Sequence, residues 1–158
     1  MTTDIKRIGF CCKWLDDPSE THDMKVNARN RELNTSTTTV AWLNRQTRDV
    51  AEQRLWDIMI HNIAATRKLV ERVGTLPANL RMVRLGSDIL PVYTEPTWGY
   101  FWHLPDVRSY AARHLAEVGA AARDGDVRIS FHPGQFCVLA SESDDIVRRS
   151  MEEFEYHV

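Results

Sequence analysis

Lysine is scarce in this chain. It occurs only at Lys6, Lys13, Lys25 and Lys68, and arginine supplies the rest of the 20 basic residues. Set against 22 acidic residues, they leave a formal net charge of −2, so there is no global basic signature of a nucleic-acid binder. Arginine's planar fork suits phosphate recognition, but a compositional habit of the source genome accounts for the bias equally well. The pairs Arg81/Arg84 and Arg148/Arg149 do not by themselves define a DNA-binding face. Cysteine is rarer still, and two of the three are adjacent (Cys11, Cys12). That count and spacing exclude a disulfide framework and a zinc-finger pattern. No apolar run approaches the ~18 residues of a membrane span. The first residues, Met1 to Arg7, lack the apolar core of a signal peptide. A cytoplasmic protein without membrane attachment is expected. Internal repeats and low-complexity linkers are also missing, so residues 1–158 are treated as one unit, part of a single domain.

With these classes set aside, 43% hydrophobic and 27% charged residues describe a globular chain able to bury a core. Ile5 to Phe10 alternates and reads as a first strand, ending in Gly9-Phe10-Cys11-Cys12-Lys13-Trp14. From Asp16 to about Arg48 the pattern is polar and aperiodic. A loop of this length is uncommon and often functional, and its threonines and asparagines suit hydrogen bonds to phosphate or to backbone. Helical spacing of Val50, Leu55, Ile58, Met59, Ile63, Leu69, Val70 and Val73 follows, with Asp49 near the start and Gly74 as a stop.

Leu80 to Leu85 reads as a second strand, ending in Gly86-Ser87-Asp88. Tyr93 to Pro105 is rich in aromatics that either stack on a ligand or pack as a satellite cluster. Asp106 to Arg123 reads as a second helix and Val127 to Phe131 as a third strand. A third helix follows Ser141-Glu142-Ser143, with Ile146, Val147, Met151, Phe154 and Val158 on its buried face. The β-α-β-α-β-α order implies a parallel sheet with right-handed crossovers. The chain stops in mid-helix on an apolar position with no capping signal, as a cut chain would.

The stretch that concentrates chemistry is Ile129-Ser130-Phe131-His132-Pro133-Gly134-Gln135-Phe136. A strand delivers His132 to its C-terminal end, where α/β proteins keep variable, functional loops. Proline then holds His132 in the extended region. His132 is a metal ligand, a general base or a hydrogen-bonded structural histidine. Gln135 and Phe136 are either contacts to a ligand or a turn amide and a core aromatic. The cysteines read as small apolar fillers at the strand ends, and His103 shares the aromatic segment.

Four blocks carry a family resemblance: Arg7 to Cys12, Met82 to Pro91, Arg128 to Phe136 and Arg149 to His157. In this order they resemble the UV damage endonucleases of the UvdE type. The resemblance implies a (β/α)8 TIM-barrel fold, of which this chain holds about the first three βα units. It also implies a divalent-metal cluster at the C-terminal face, most commonly manganese, and incision 5′ to UV photoproducts in double-stranded DNA by a monomeric enzyme.

Carried over residue by residue, His132 matches a metal ligand, and Gln135 and Phe136 match a pair that probes the duplex at the lesion. Phe10 and Trp14 fall where the family often has a tyrosine and an asparagine that contact damage. Asp88 belongs to the second block, and the other ligands and the catalytic groups are expected beyond Val158. On this reading the 158-residue chain is an incomplete, inactive portion. The alternatives are another metal-dependent barrel enzyme (an abasic-site endonuclease or sugar isomerase) and a non-catalytic binder of damaged DNA.

Overall fold

Three strands laid down in sequence order, each followed by helix, form the frame. The computed structural model describes residues 6–15, 30–134 and 137–155. Its strands are β1 (Phe10–Cys11), β2 (Met82–Gly86) and β3 (Arg128–His132), in the spatial order β1-β2-β3 and parallel throughout. The helices are α1 (Val40–Leu43), α2 (Arg48–Gly74), α3 (Pro105–Asp124) and α4 (Asp144–Glu155). Right-handed crossovers between strands placed side by side in sequence order put successive helices on one face of the sheet. The two long helices accordingly meet each other: Arg67 bridges from α2 to Glu117 of α3 at 3.1 Å. This singly wound arrangement is that of a partial (β/α) barrel, since a doubly wound sheet would divide its helices between two faces.

The core lies between sheet and helices. Leu55, Met59, Ile63, Val70 and Val73 of α2 join Val107, Val118 and Ala122 of α3 over Val83 and Leu85 of β2. Each such side chain contributes about 1.5–3 kcal/mol when fully buried. Along β2, Val83 and Leu85 are buried and Arg84 is exposed, so the helix-facing and opposite faces separate cleanly at period two. Asp49 and Arg72 sit in the first and last turns of α2, and Asp106 and Arg123 in those of α3, each on the side its dipole favours. Pro105 opens α3, where its missing N–H costs nothing.

Several sequence expectations shift. Among the described residues, which exclude Ile5, the first strand pairs at Phe10 and Cys11, opposite Val83 and Arg84, and it ends where the chain turns away at Cys12. Ile8 is 59% exposed, although its N–H still donates to the Asn79 carbonyl at 2.8 Å. Leu80 falls in a 3-10 turn, Ala78–Leu80, and β2 starts later, at Met82.

The segment expected to be loop up to Arg48 contains α1, where the Thr39 side chain caps the Trp42 N–H. Val50 is exposed, and the neighbouring Ala51 takes the buried position. The aromatic segment packs inward: Trp98, Phe101 and Trp102 are buried, and Trp98 and Trp102 donate their indole N–H groups to Asn44 and the Pro91 carbonyl. On α4 most of the expected buried face is open, with Ile146 37%, Met151 54% and Phe154 41% exposed and Val147 half-buried; Val158 lies outside the described residues. That helix attaches through polar groups instead, its buried Ser150 accepting from the Val138 N–H at 2.8 Å. Phe131, on the edge strand, is also exposed.

Gly9 sets how closely β1 approaches β2. A Cβ at Gly9 would lie 2.3 Å from the Met82 carbonyl oxygen, a contact that only backbone movement relieves. Gly9→Ala is expected to cost roughly 1–3 kcal/mol, as overpacking does, read as a lower urea midpoint. An unchanged midpoint would show that the approach of β1 to β2 tolerates a side chain.

Candidate functional site

The strand ends collect the polar and reactive side chains. In a parallel sheet, partners in register share a face. Val83 is paired with Phe10 and Ile129, which places all three towards the helices. Arg84, with Cys11 and Ser130 beside it, lies on the opposite face, and so does the next pair along, Gly86 with His132. His132 therefore stands at the C-terminal end of β3, on the face away from the helices, half-exposed.

The turn that follows is braced from α4. The Gly134 N–H points to Glu153 Oε1 at 3.4 Å, and the other Glu153 oxygen accepts from the Thr94 hydroxyl. A Cβ on Gly134 would lie 3.8 Å from Ser87 Oγ, so the ends of β2 and β3 are neighbours. Gln135 and Phe136 lie outside the described residues.

Asp88 sits at the end of β2, its carboxylate accepting from the Thr35 hydroxyl at 3.0 Å. A Cβ on Gly86 would come 2.8 Å from Asp88 Oδ1 and 3.8 Å from Cys12 Sγ, so the glycine leaves room for both groups. Cys12 has φ 65°, in the left-handed region uncommon for a residue with a Cβ. The Lys13 N–H donates to the Cys11 carbonyl at 2.8 Å, closing a tight three-residue turn around it. Cys11 is exposed, contrary to its expected role as an apolar filler.

Beyond that turn, Trp14 packs edge-on against Phe10 with ring centroids 5.4 Å apart. The Arg72 guanidinium of α2 lies over the Trp14 ring, and Asn34 holds the Trp14 backbone N–H and carbonyl at 2.8 Å each. The structure thus brings Phe10 and Trp14 together, with Phe10 in register on the helix side and Trp14 beside α2. His132 belongs to the other face.

Asn62 is the residue the sequence reading missed. Wholly buried on α2, it accepts from the Ser36 N–H at 2.7 Å and donates to the carbonyls of Ser36, Asp88 and Ile89. It fastens both the threonine-rich segment and the end of β2 to the helix. The available signal was an amide embedded among Ile58, Met59 and Ile63, on a buried helix face that is apolar apart from Thr66. Of that segment's side chains, Asn34, Thr37 and Thr39 bond to backbone, Thr35 to Asp88 and Ser36 to Asn62.

The remaining basic pairs are also engaged. Arg148 and Arg149 are neutralised within α4 by Asp145, with Glu152 also pairing Arg148. Arg81 braces the Leu76 and Gly125 carbonyls. Arg84 is exposed on the face that carries His132, donating to the Phe131 carbonyl at 3.3 Å. His103 borders a separate cavity of about 380 Å³ with Tyr93, Tyr100, Glu95, Glu152 and Glu155. Its acidic rim is unsuited to a phosphate backbone.

Among the described residues, no three His, Cys, Asp or Glu side chains converge as a metal-holding group. No helix among them is long and apolar enough to cross a membrane.

Comparison with known proteins identifies the family. The family model for UV-endonuclease UvdE matches residues 17–158, and the chain belongs to that family. The UV DNA damage endonuclease of Clostridium perfringens is 26% identical over 125 residues, covering 78% of this chain and 29% of that protein. The UV DNA damage endonuclease of Halalkalibacterium halodurans is 36% identical over 83 residues, covering 52% and 24%. The UV-damage endonuclease of Neurospora crassa is 33% identical over 78 residues, covering 49% and 11%. The chain thus matches less than a third of the length of each of these relatives. Among solved structures, the crystal structure of SacUVDE superposes with a TM-score of 0.69 at 20% identity, over 96% of this chain and 43% of that one, which establishes the fold.

Replacing Asn62 with alanine would leave the Ser36 N–H and up to three carbonyls without their buried partner. The expected loss is roughly 1–3 kcal/mol, the range for orphaned buried polar groups, measured by urea unfolding. The exposed Val50→Ala is expected to stay within about 0.5 kcal/mol. Equal effects of the two substitutions would remove the case for Asn62 as a structural fastener.

Proposed function

We propose that this chain contributes the N-terminal part of a DNA-repair endonuclease that incises the strand 5′ to UV photoproducts with divalent metal ions, manganese foremost. The observation that carries the reading is the His132-Pro133-Gly134 turn. It stands at a strand's C-terminal end beside Ser87 and is braced by Glu153, within a chain that belongs to the UvdE family. Imidazole is a suitable ligand for such ions, and His132 stands where it can serve as one. The described residues do not make up a full ligand set, so further donors have to join it. When bound, the metals would activate water and relieve charge on the leaving oxygen.

What this chain does itself, on this reading, is recognise damage. Gln135 and Phe136 come next after His132-Pro133-Gly134 and, on this reading, enter the distorted duplex, the amide hydrogen-bonding and the aromatic stacking where base pairing is weakened. Phe10 and Trp14 supply a second aromatic pair at the end of β1. Arg84 adds positive charge on the face of His132. UV-damaged double-stranded DNA is the partner.

The test compares binding of irradiated and undamaged duplex by the 158-residue chain. The irradiated duplex should bind more tightly. Phe136→Ala should remove about 1–3 kcal/mol of that preference, the scale of one base–aromatic stack, with Gln135→Ala acting in the same direction. Equal binding of both duplexes would overturn the recognition reading. Manganese-dependent nicking of irradiated duplex by this chain alone would overturn the view that His132 needs additional ligands.

A further inference from the structure

The turn at Cys12 brings together two thiols that a strand would hold apart. Successive side chains of a strand point to opposite faces, so Cys11 and Cys12 would ordinarily be separated by the sheet. The positive φ of Cys12 breaks that alternation, and the two Sγ atoms lie 3.1 Å apart. Cys11 is exposed and Cys12 partly so, which gives a reagent access from solvent.

We propose that Cys11 and Cys12 form a dithiol site for a soft, thiophilic ion, and that its best-fitting ligand is a trivalent arsenical. The geometry decides among three uses of such a pair. A disulfide requires Cα atoms about 4.4–6.8 Å apart, whereas adjacent residues across a trans peptide are held at about 3.8 Å, so closing the bond strains it and favours the reduced form. Burial, the neighbouring Cys11 thiol and the Asp88 charge push the Cys12 thiol up to about 11. Little thiolate is therefore present to attack an oxidant at neutral pH.

Zinc takes four ligands in tetrahedral array, and among the described residues no third His, Cys, Asp or Glu joins the pair. With a metal–sulfur bond of about 2.3 Å, the 3.1 Å spacing corresponds to an angle at the ion of about 85°. That is too narrow for a tetrahedral centre and close to what pyramidal trivalent arsenic adopts.

The reaction balances without any redox change. An organoarsenic(III) oxide forms two As–S bonds, one to each thiol. Its arsenic–oxygen bonding is broken, and the oxygen leaves as water with the two thiol protons. Because both thiol protons leave in that water, the bound arsenical leaves no thiolate charge beside Asp88. The ring formed would cap the ends of β1 and β2, because Cys12 Sγ lies beside Gly86 and Asp88 and Phe10 directly precedes the pair. The site is independent of the endonuclease reading.

The probe is phenylarsine oxide, added in slight excess over protein in the presence of a monothiol, with thiol titration and intact-mass measurement as readouts. The chain should lose two of its three titratable thiols and gain one phenylarsenic group, reversed by 2,3-dimercaptopropanol. Cys137→Ser should take up the group as the unaltered chain does, and Cys11→Ser should not retain it. Three titratable thiols in the unaltered protein after treatment would overturn the proposal whatever the variants do. So would retention of the adduct by Cys11→Ser.

Discussion

One buried amide holds the strand-end region in place. Asn62 lies wholly inside α2's packed face, and its hydrogen bonds run to segments that are otherwise remote in sequence: the threonine-rich stretch at Ser36, and the Asp88–Ile89 turn after β2. Each of those backbone groups would carry a desolvation cost if buried without a partner. The amide meets that need from a rigid 27-residue helix, so the positions of Asp88 and Thr35 are inherited from α2 rather than from their own loops. Thr35 then donates to the Asp88 carboxylate, extending the helix's hold to the one acidic side chain at the end of β2.

The long-period features of the fold were legible in the sequence. Apolar spacing over Leu55 to Val73 fixed α2 and its buried face, the alternation of strand and helix gave the parallel sheet, and the family blocks pointed to the barrel class. Short-range geometry was not legible. The first strand's alternation ran from Ile5 to Phe10, yet among the described residues pairing begins at Phe10. Periodicity cannot register that Gly9 is pressed against the Met82 carbonyl or that Cys12 turns the backbone out of the sheet. On α4 the apolar stripe is real, but amphipathicity says only that a face wants cover, and here most of that face is open to solvent.

At the candidate site the same limit applies. His132 was found because a strand, a proline and a glycine fix where it stands, and each has a local sequence signature. Asn62 was passed over because polar residues in helices are usually solvated, and its role depends on partners 26 residues away on either side. The threonine-rich segment was expected to offer hydrogen bonds to phosphate or to backbone. The backbone alternative holds for Asn34, Thr37 and Thr39, whereas Ser36 and Thr35 bond to the Asn62 and Asp88 side chains.

The turn at Cys12 also bears on how recognition could be organised. Register places Phe10 on the helix side of the sheet, and the chain reversal carries Trp14 back beside α2, where Asn34 and Arg72 hold it. His132 belongs to the opposite face, with Arg84 and Gly86. A duplex that engaged both groups would have to meet the C-terminal rim of the sheet, since neither face alone presents them together. The rim is also where Cys11, Cys12, Ser87 and Gly134 lie. The pair Phe10 and Trp14 is rigid because it is packed, but it sits level with Val83, three residues before the Gly86–His132 pair, so the two groups also differ in height along the sheet.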